Sequence, residues 1–505
     1  MNIVVRLLTN VISALKKENA RIKHELSRFS ARYKKSEEKI QLLSRDLIKQ
    51  KEEVRLLMEK LAKLSKNSGT SSKPPSSDIV KPKRKPKDKG GKRGAGGQKG
   101  HPKHGRTPFA DSLIDSRVDH FLDACSTCGS EVELNLVLAP RVIQQAEIVS
   151  VPIQIEEQRA YAYWCPRCRK YHYAAFPPEV LAAGLFRAKL TAVVAYMKNV
   201  CHCSFSNIRR YIRDVLKLTV SRGYLSKLVS KVSRSLDFSY KELLERLPLS
   251  AVVNVDETGH KENGERFWTW VFRTDLFVLF KIEKSRGSCV LVETLGKEFN
   301  GLLGCDYFSA YRKYMKDFGV TLQFCLAHLI RDVKYLAALP DTATNEYGKG
   351  LLGMIKHMFK IIHDNQEQPF DGFTGRLTRV REQIIEFAIN KVPSEIGEDG
   401  KEKKKEAYNM AKRFKDNGKA YFEFITSPGI DPTNNIAEQA IRFVVIDRIV
   451  TQGTRSIKGR KANERLWTVI ATCRLRGQNA FNFILKSVEA FFNGAQPPSL
   501  TFDSG

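Results

Sequence analysis

Acidic residues are scarce in this chain: 55 Asp and Glu stand against 85 Lys and Arg, a formal charge of +30 over 505 residues. Such an imbalance points to a polyanionic partner, because neutralising phosphates releases their counterions. Cysteine is scarce too, with ten residues, which excludes a disulfide scaffold for a chain of this length. No stretch of 18 apolar residues exists. The opening Met-Asn-Ile-Val-Val-Arg-Leu-Leu lacks the long apolar region and cleavage site of a signal peptide. The expectation is a soluble, cytoplasmic protein. Hydrophobic content is an ordinary 42%, and the length exceeds one compact core, so three or four units are expected.

What is present begins with a seven-residue repeat. Val5, Ile12, Asn19, Leu26, Tyr33, Ile40, Leu47, Val54 and Leu61 form one series. Leu8, Leu15, Ile22, Phe29, Ser36, Leu43, Gln50, Leu57 and Leu64 form a second, three residues on. Fifteen of the eighteen are apolar and the residues between are largely charged, the pattern of a coiled coil over residues 1–65. Asn19 at a core position favours one register and a dimer. Residues 66–111 then turn basic and rich in Pro, Gly and Ser. Thirteen Lys or Arg between 66 and 108 face only Asp78 and Asp88, a composition that cannot bury a core of its own. It reads as a tether that also grips DNA backbone.

Residues 112–186 carry Cys125-Ser-Thr-Cys128 and Cys165-Pro-Arg-Cys168. Each knuckle offers two thiolates to one side of a tetrahedron, so Cys125, Cys128, Cys165 and Cys168 are expected to hold structural zinc in a ribbon. Cys201-His202-Cys203 is a poor second site, since adjacent positions rarely converge on one ion. Residues 187–245 read as a helix-turn-helix-like unit whose third helix, capped by Ser221, could lie in a major groove. Arg222, Lys227 and Lys231 on it are the candidate DNA contacts.

After Pro248 the pattern changes to strands. Ala251-Val-Val-Asn-Val-Asp256, Arg266–Arg273 and Leu276–Ile282 form three of them; a helix follows from Cys289 to Phe299. Gly301-Leu-Leu-Gly-Cys-Asp306 and Val320–Cys325 give two more strands. Three antiparallel strands followed by alternating helix and strand is the order of an α/β RNase H-like core, expected at 246–340 and 430–450. In that fold the first and fourth strands are central neighbours, so Asp256 and Asp306 are expected to face each other; Glu257 is adjacent, but successive strand residues point to opposite faces, so only one of the pair can join Asp306. Glu438 is the third acid, on a helix announced by Asp431-Pro432. Asn434, Glu438 and Arg442 share one face of it, and Ala437, Ala440, Ile441 and Val444 the other. Helices at Met354–Asn365, Gly375–Asn390 and Ala407–Phe424 imply a helical insertion over 341–429. Residues 451–505 read as two closing helices. A cluster of Arg448, Arg455, Lys458, Arg460 and Lys461 faces DNA or solvent.

Taken together, these motifs make the chain resemble the insertion-sequence-sixty-six family of DDE transposases over nearly its whole length. The resemblance rests on Asn67-Ser-Gly-Thr-Ser-Ser-Lys-Pro-Pro-Ser-Ser-Asp78, Gly96-Gly-Gln-Lys-Gly-His-Pro102, the paired cysteines, Val255-Asp-Glu-Thr258, Cys325-Leu-Ala-His328 and Asn434-Asn-Ile-Ala-Glu-Gln-Ala-Ile-Arg442. It implies that Asp256, Asp306 and Glu438 are the catalytic triad, with Asn435 and Arg442 as helpers around DNA phosphates. His328 becomes a supporting residue behind the metal ligands. The chain departs from the family pattern at Tyr307, where Gly is usual after the second Asp, and at Ile446-Asp-Arg-Ile449, which replaces Gly-Arg-Lys-Asn.

The chemistry then expected is phosphoryl transfer on two Mg²⁺ (or Mn²⁺) ions held by the three carboxylates. Water cleaves at the element's 3′ ends, and the freed 3′-hydroxyl joins target DNA by transesterification. The expected partners are double-stranded DNA, as terminal inverted repeats and target, a homodimer or higher oligomer, and accessory proteins of the same bacterial element. The alternatives are a domesticated, non-catalytic DNA-binding protein and an RNase H-like nuclease without strand transfer.

Overall fold

The computed structural model describes residues 2–64, 110–114, 117–118, 128, 130, 152–165, 167, 170–364, 373–394, 396, 404–427 and 429–501. Helix α1 (Asn2–Leu64) runs unbroken for 63 residues, about 95 Å at 1.5 Å per residue. Both heptad series stay exposed along it in the single chain, from Val5 at 59% to Leu61 at 67%. A short hairpin, β1 (Ala162–Cys165) and β2 (Lys170–Tyr173), follows, with Cys165 opposite Lys170.

Five helices form the next unit: α2 (Pro178–Ala183), α3 (Ala188–Asn199), α4 (Phe205–Asp214), α5 (Arg222–Ser235) and α6 (Asp237–Arg246). Ser204 and Ser221 start α4 and α5 by accepting the N–H of Asn207 and Tyr224, which satisfies donors a helix's first turn otherwise leaves open. Pro178–Asn199 is the one described stretch long and apolar enough to cross a membrane. Here it is two helices broken at Gly184 (φ 71°), with Ala192, Val194 and Ala195 of α3 packed in the core.

The central sheet is mixed. It comprises β3 (Val252–Glu262), β4 (Glu265–Arg273), β5 (Val278–Glu283), β6 (Leu302–Cys305) and β7 (Thr321–Phe324), in the order β5-β4-β3-β6-β7. The first three strands are antiparallel, and β6 and β7 add in parallel to β3. This is the RNase H-like order, with the first and fourth strands adjacent. Asn263 (φ 48°) and Gly264 (φ 89°) make the tight β3–β4 turn, a dipeptide suited to two left-handed residues. Helices α7 (Cys289–Leu295), α8 (Ser309–Phe318) and α9 (Leu326–Leu336) connect and follow the later strands.

The insertion comprises α10 (Thr342–Asp364), α11 (Phe373–Asn390) and α12 (Lys405–Asn417). The first is longer than the sequence suggested. The third stops at Asn417-Gly418, after which two short 3₁₀ turns replace the expected helix through Phe424. Helix α13 (Asn435–Thr451) lays Ala437, Ile441 and Val444 on Phe267, Val271 and Phe280 of the sheet. Helix α14 (Ile457–Leu475) runs beside the edge strand β5, while α15 (Ala480–Phe492) lies on α2, α3 and α5. The last helix thus belongs to the five-helix unit rather than to the sheet it was expected to close.

Along α14, three buried side chains spaced four residues apart meet alternate residues of β5. Thr472 Oγ1, Thr468 Oγ1 and Glu464 Oε1 accept the N–H groups of Val278, Phe280 and Ile282 at 3.1, 3.0 and 2.8 Å. Four helical residues rise about 6 Å and two strand residues about 6.7 Å, so the two spacings match closely enough to repeat.

Candidate active site

The alternation of β3 separates its two acids. Asp256 lies opposite Val271 and Glu257 opposite Trp270. Val271 packs under α13, whereas Trp270 meets Tyr311 of α8. Asp256 therefore shares a face with Glu438, and Glu257 points away from it. On β6, Gly304 pairs with Asn254, and Asp306 follows two residues later on the same side. Its Oδ1 accepts the N–H of Phe308 at 2.9 Å, while Asp256 Oδ1 accepts the N–H of Glu257 at 2.8 Å.

Burial first, then the charges of Glu257, Asp306 and Glu438, push the Asp256 carboxyl well above the usual carboxylate range. Asp306 is raised by burial as well, against the pull of the Phe308 N–H, Arg286 and Arg413. Glu257 is pushed up to about 7 by burial and by Asp306, with Arg286 and Tyr311 opposing. Arg286 donates twice to Glu257 Oε1, at 2.9 and 2.6 Å, and Tyr311 donates to the other oxygen. The Arg286 guanidinium in turn lies on the rings of Trp268 and Phe308.

Helix α13 is fixed at its start by a strut that sequence reading did not foresee. Asn434, expected to share an open polar face with Glu438, is buried. Its Nδ2 donates to Val255 O and its Oδ1 accepts from Asn254 Nδ2, both at 2.8 Å. Its backbone N–H meets Cys325 Sγ at 3.2 Å. Gly304 makes room, since a Cβ there would collide with the Asn254 amide. Two asparagines at Asn254 and Asn434, facing a glycine in a strand, were the signal.

Glu438 Oε1 lies 3.3 Å from Arg331 Nη2 and 3.6 Å from His328 Nδ1. His328 is buried and its ring is held neutral, with a pKa lowered to about 4 by burial and Arg331. Cys325, His328 and Glu438 bring a sulfur, a nitrogen and an oxygen within 4.8 Å of one another. Because Cys325 is engaged by Asn434 and Arg331 shares the Glu438 oxygen, this cluster orients the carboxylate. Asn435 and Arg442 are exposed on the same helix.

The residues that depart from the family pattern have structural work. Tyr307 stacks on Tyr421, sits between the guanidinium groups of Arg312 and Arg413, and accepts from Asn417 Nδ2 at 2.9 Å. It ties the insertion to the residue next to Asp306. Asp447 is buried against His202 (3.4 Å) and Lys198 (3.8 Å), and Arg448 donates to Thr258 Oγ1 and to Gly259 O.

One expected DNA contact, and one member of the cluster read as facing DNA or solvent, need correction. Lys231 points inward: its ammonium donates to Ala182 O and Ala183 O at 2.6 and 3.0 Å, ending α2. Arg460, in the basic cluster, turns to Glu262 at 3.2 Å and to the ring of Phe267. Arg222 and Lys227 are exposed. Of the cysteines, Cys125 and Cys168 lie outside the described residues. Cys165 ends β1, and Cys128 is exposed, with Sγ 3.4 Å from Ser130 Oγ.

An RNase H-like sheet with half-buried carboxylates on two adjacent inner strands, Asp256 within β3 and Asp306 just past the end of β6, defines the class, an enzyme of the polynucleotidyl-transferase type. A family model described as "Transposase IS66 family" matches residues 183–462, more than half of the chain, and the chain belongs to that family. A second model, a family of unknown function (DUF6444), matches residues 12–107. No curated protein matches.

Among solved structures, the HTLV-2 integrase catalytic core domain in complex with magnesium is similar at 13% identity, over 29% of this chain and 90% of that one, with a TM-score of 0.13. The Mos1 transposase catalytic domain with raltegravir and Mg is similar at 11% identity, over 37% and 91%, with a TM-score of 0.12. The simian T-cell lymphotropic virus intasome in complex with the PP2A regulatory subunit B56 gamma is similar at 12% identity, over 48% and 77%, with a TM-score of 0.14. At these scores the fold stands on the strand order alone.

Proposed function

We propose that this transposase cleaves DNA at the ends of its element and joins the freed 3′-hydroxyl to target DNA at Asp256, Asp306 and Glu438. The observation that carries the reading is a set of acids that disfavour one another. Asp256 is half-buried, has no cationic side chain bonded to it among the described residues, and is raised by desolvation and by three neighbouring carboxylates. Such a cluster persists where function needs it, and a divalent cation would relieve it. The donors are all carboxylate oxygens, which suits Mg²⁺ or Mn²⁺ rather than a soft metal. When bound, two such ions supply Lewis-acid stabilisation of the attacking and leaving oxygens.

The chain's own residues do the remainder. Asp256, within β3, and Asp306, just past the end of β6, hold the ligand oxygens on the sheet. Arg331 and His328 orient Glu438, and the Asn254–Asn434 strut sets the height of α13 above the sheet. Arg286 and Tyr311 keep Glu257 engaged on the opposite face, out of competition for ligands. Asn435 and Arg442, exposed beside Glu438, are available to DNA phosphates. Cys125, Cys128, Cys165 and Cys168 hold structural zinc, and the exposed heptads of α1 pair with a second copy of the chain.

Asp256→Asn is the test. With duplexes carrying the element's ends and Mg²⁺, the variant is expected to lose cleavage and joining while binding the same duplex normally. Retained cleavage, or an equal loss of binding, sinks the assignment. Cleavage by the unaltered chain without any joined product turns the reading to a nuclease.

A further inference from the structure

Helix α5 was expected to enter a major groove, yet its apolar side packs on α3, α14 and α15 and only one strip remains open. That strip does not face bulk solvent alone. It forms one wall of a groove of about 1070 Å³ whose other wall is the segment 453–463. Lys227, Ser230 and Arg234 stand on the first wall; Arg455, Lys458 and Lys461 on the second. Among the described residues no Asp or Glu lines it. Lys461 pairs with Glu464 behind the wall at 2.8 Å, but Lys227, Arg455 and Lys458 are exposed and have no carboxylate partner among the described residues. Two helices also open into it by their N-terminal ends, α4 at Ser204-Phe205 and α14 at Ser456-Ile457. Helix starts carry partial positive charge and free N–H donors.

We propose that this groove seats the phosphate backbone of duplex DNA flanking the cleavage position, a deepening that rests on the proposed function. A row of cations and helix starts without base-reading geometry is what a sequence-independent backbone contact requires. The distance follows from α13, which joins the two places. From Glu438 to Thr451 are thirteen residues, about 20 Å of helix, or roughly six base pairs at 3.4 Å each. The groove therefore holds the duplex some half a turn from the scissile phosphate, and α5 contributes backbone grip rather than base recognition.

The test uses the full chain with Lys227→Gln, Arg455→Gln and Lys458→Gln combined, against a 30-base-pair duplex of arbitrary sequence. Losing three phosphate contacts should lower the slope of log affinity against log salt by about 2.7, and affinity near 0.15 M salt about a hundredfold. A control with equal charge change on α10, Lys349→Gln, Lys356→Gln and Lys360→Gln, should leave both unchanged. An unaltered slope in the groove variant, or an equal fall in the control, overturns the proposal. So does a loss confined to a single-stranded 30-mer. The two readings fail separately: an unchanged slope rejects the groove whatever the variant cleaves, and normal cleavage by Asp256→Asn rejects the catalytic reading whatever it binds.

Discussion

The two halves of strand β3 are built on opposite plans. Its first half, Val252 to Glu257, pairs with β6 over Val252–Asn254 and with β4 from Asn254 on, and ends in acids raised by burial and by neighbouring carboxylates. Its second half, Thr258 to Glu262, has outrun β6 and pairs in the sheet only with β4, yet several of its polar groups reach partners on α13 and the segment after it. Arg448 meets Thr258 and Gly259, His260 Nε2 lies 3.1 Å from Thr454 Oγ1, and Glu262 lies 3.2 Å from Arg460. The backbone of Asn263 and Lys261 closes onto Thr454 at 2.8 Å. One half is held together at its own expense; the other is a clamp. Stability and reactivity have been divided along eleven residues of a single strand, and the clamp lets the acidic half remain frustrated.

That contrast is open to attack at graded strength. The largest effect should come from Asp306→Asn, which removes one of the opposed acids. Metal-dependent cleavage should fall by about a hundred- to a thousandfold or more, while the melting temperature of the metal-free chain holds or rises. A large drop in melting temperature would mean that Asp306 is structural. Gly304→Ala comes next. Its methyl group displaces the Asn254 amide, so a loss of about 1–3 kcal/mol in urea unfolding is expected, with cleavage impaired because α13 shifts. Normal unfolding and cleavage would show that the strut is dispensable.

The last effect belongs to the clamp and is confined to acid pH, vanishing near neutrality. His260 is held to a pKa of about 4, chiefly by burial, below its ordinary 6.5. The folded chain refuses a proton that the unfolded chain accepts, so stability is lost as pH falls from about 6.5 towards 4. In His260→Gln the acid limb should flatten by roughly 1.4 kcal/mol per pH unit between those limits, leaving the part due to His328. Urea midpoints at pH 4.5, 5.5 and 6.5 read this directly; an unchanged limb would place His260 in water.

Much of the sheet was legible because its signals are local. Apolar runs ending in Asp256 and Asp306 gave the strands, and the fold's order brought them together. The Asn263-Gly264 turn was not singled out, although few dipeptides accept two positive φ angles. The choice of Asp256 over Glu257 rested on the fold and the family resemblance, because alternation alone says that they part without saying which way. Only the packing of Val271 under α13 decides it. Residues whose partners lie far along the chain were not legible: Asn434 looked like part of an open stripe, and Lys231 like a free cation. The basic cluster near residue 455 was readable as charge, but not the division that turns Arg448 and Arg460 inward and leaves Arg455 and Lys458 outside.

The ladder of Thr472, Thr468 and Glu464 along β5 has a consequence for what the sheet can bind. An unpaired outer strand is normally a template on which another chain can add. Here its alternate donors are consumed by a helix of the same molecule, and the opposite border at β7 is sealed by Gln323, which bonds Tyr421 and Phe424 across it. Neither rim of the sheet can recruit a stranger. The pairing of copies proposed through α1 therefore needs no strand exchange and leaves closed the layer that holds the acids.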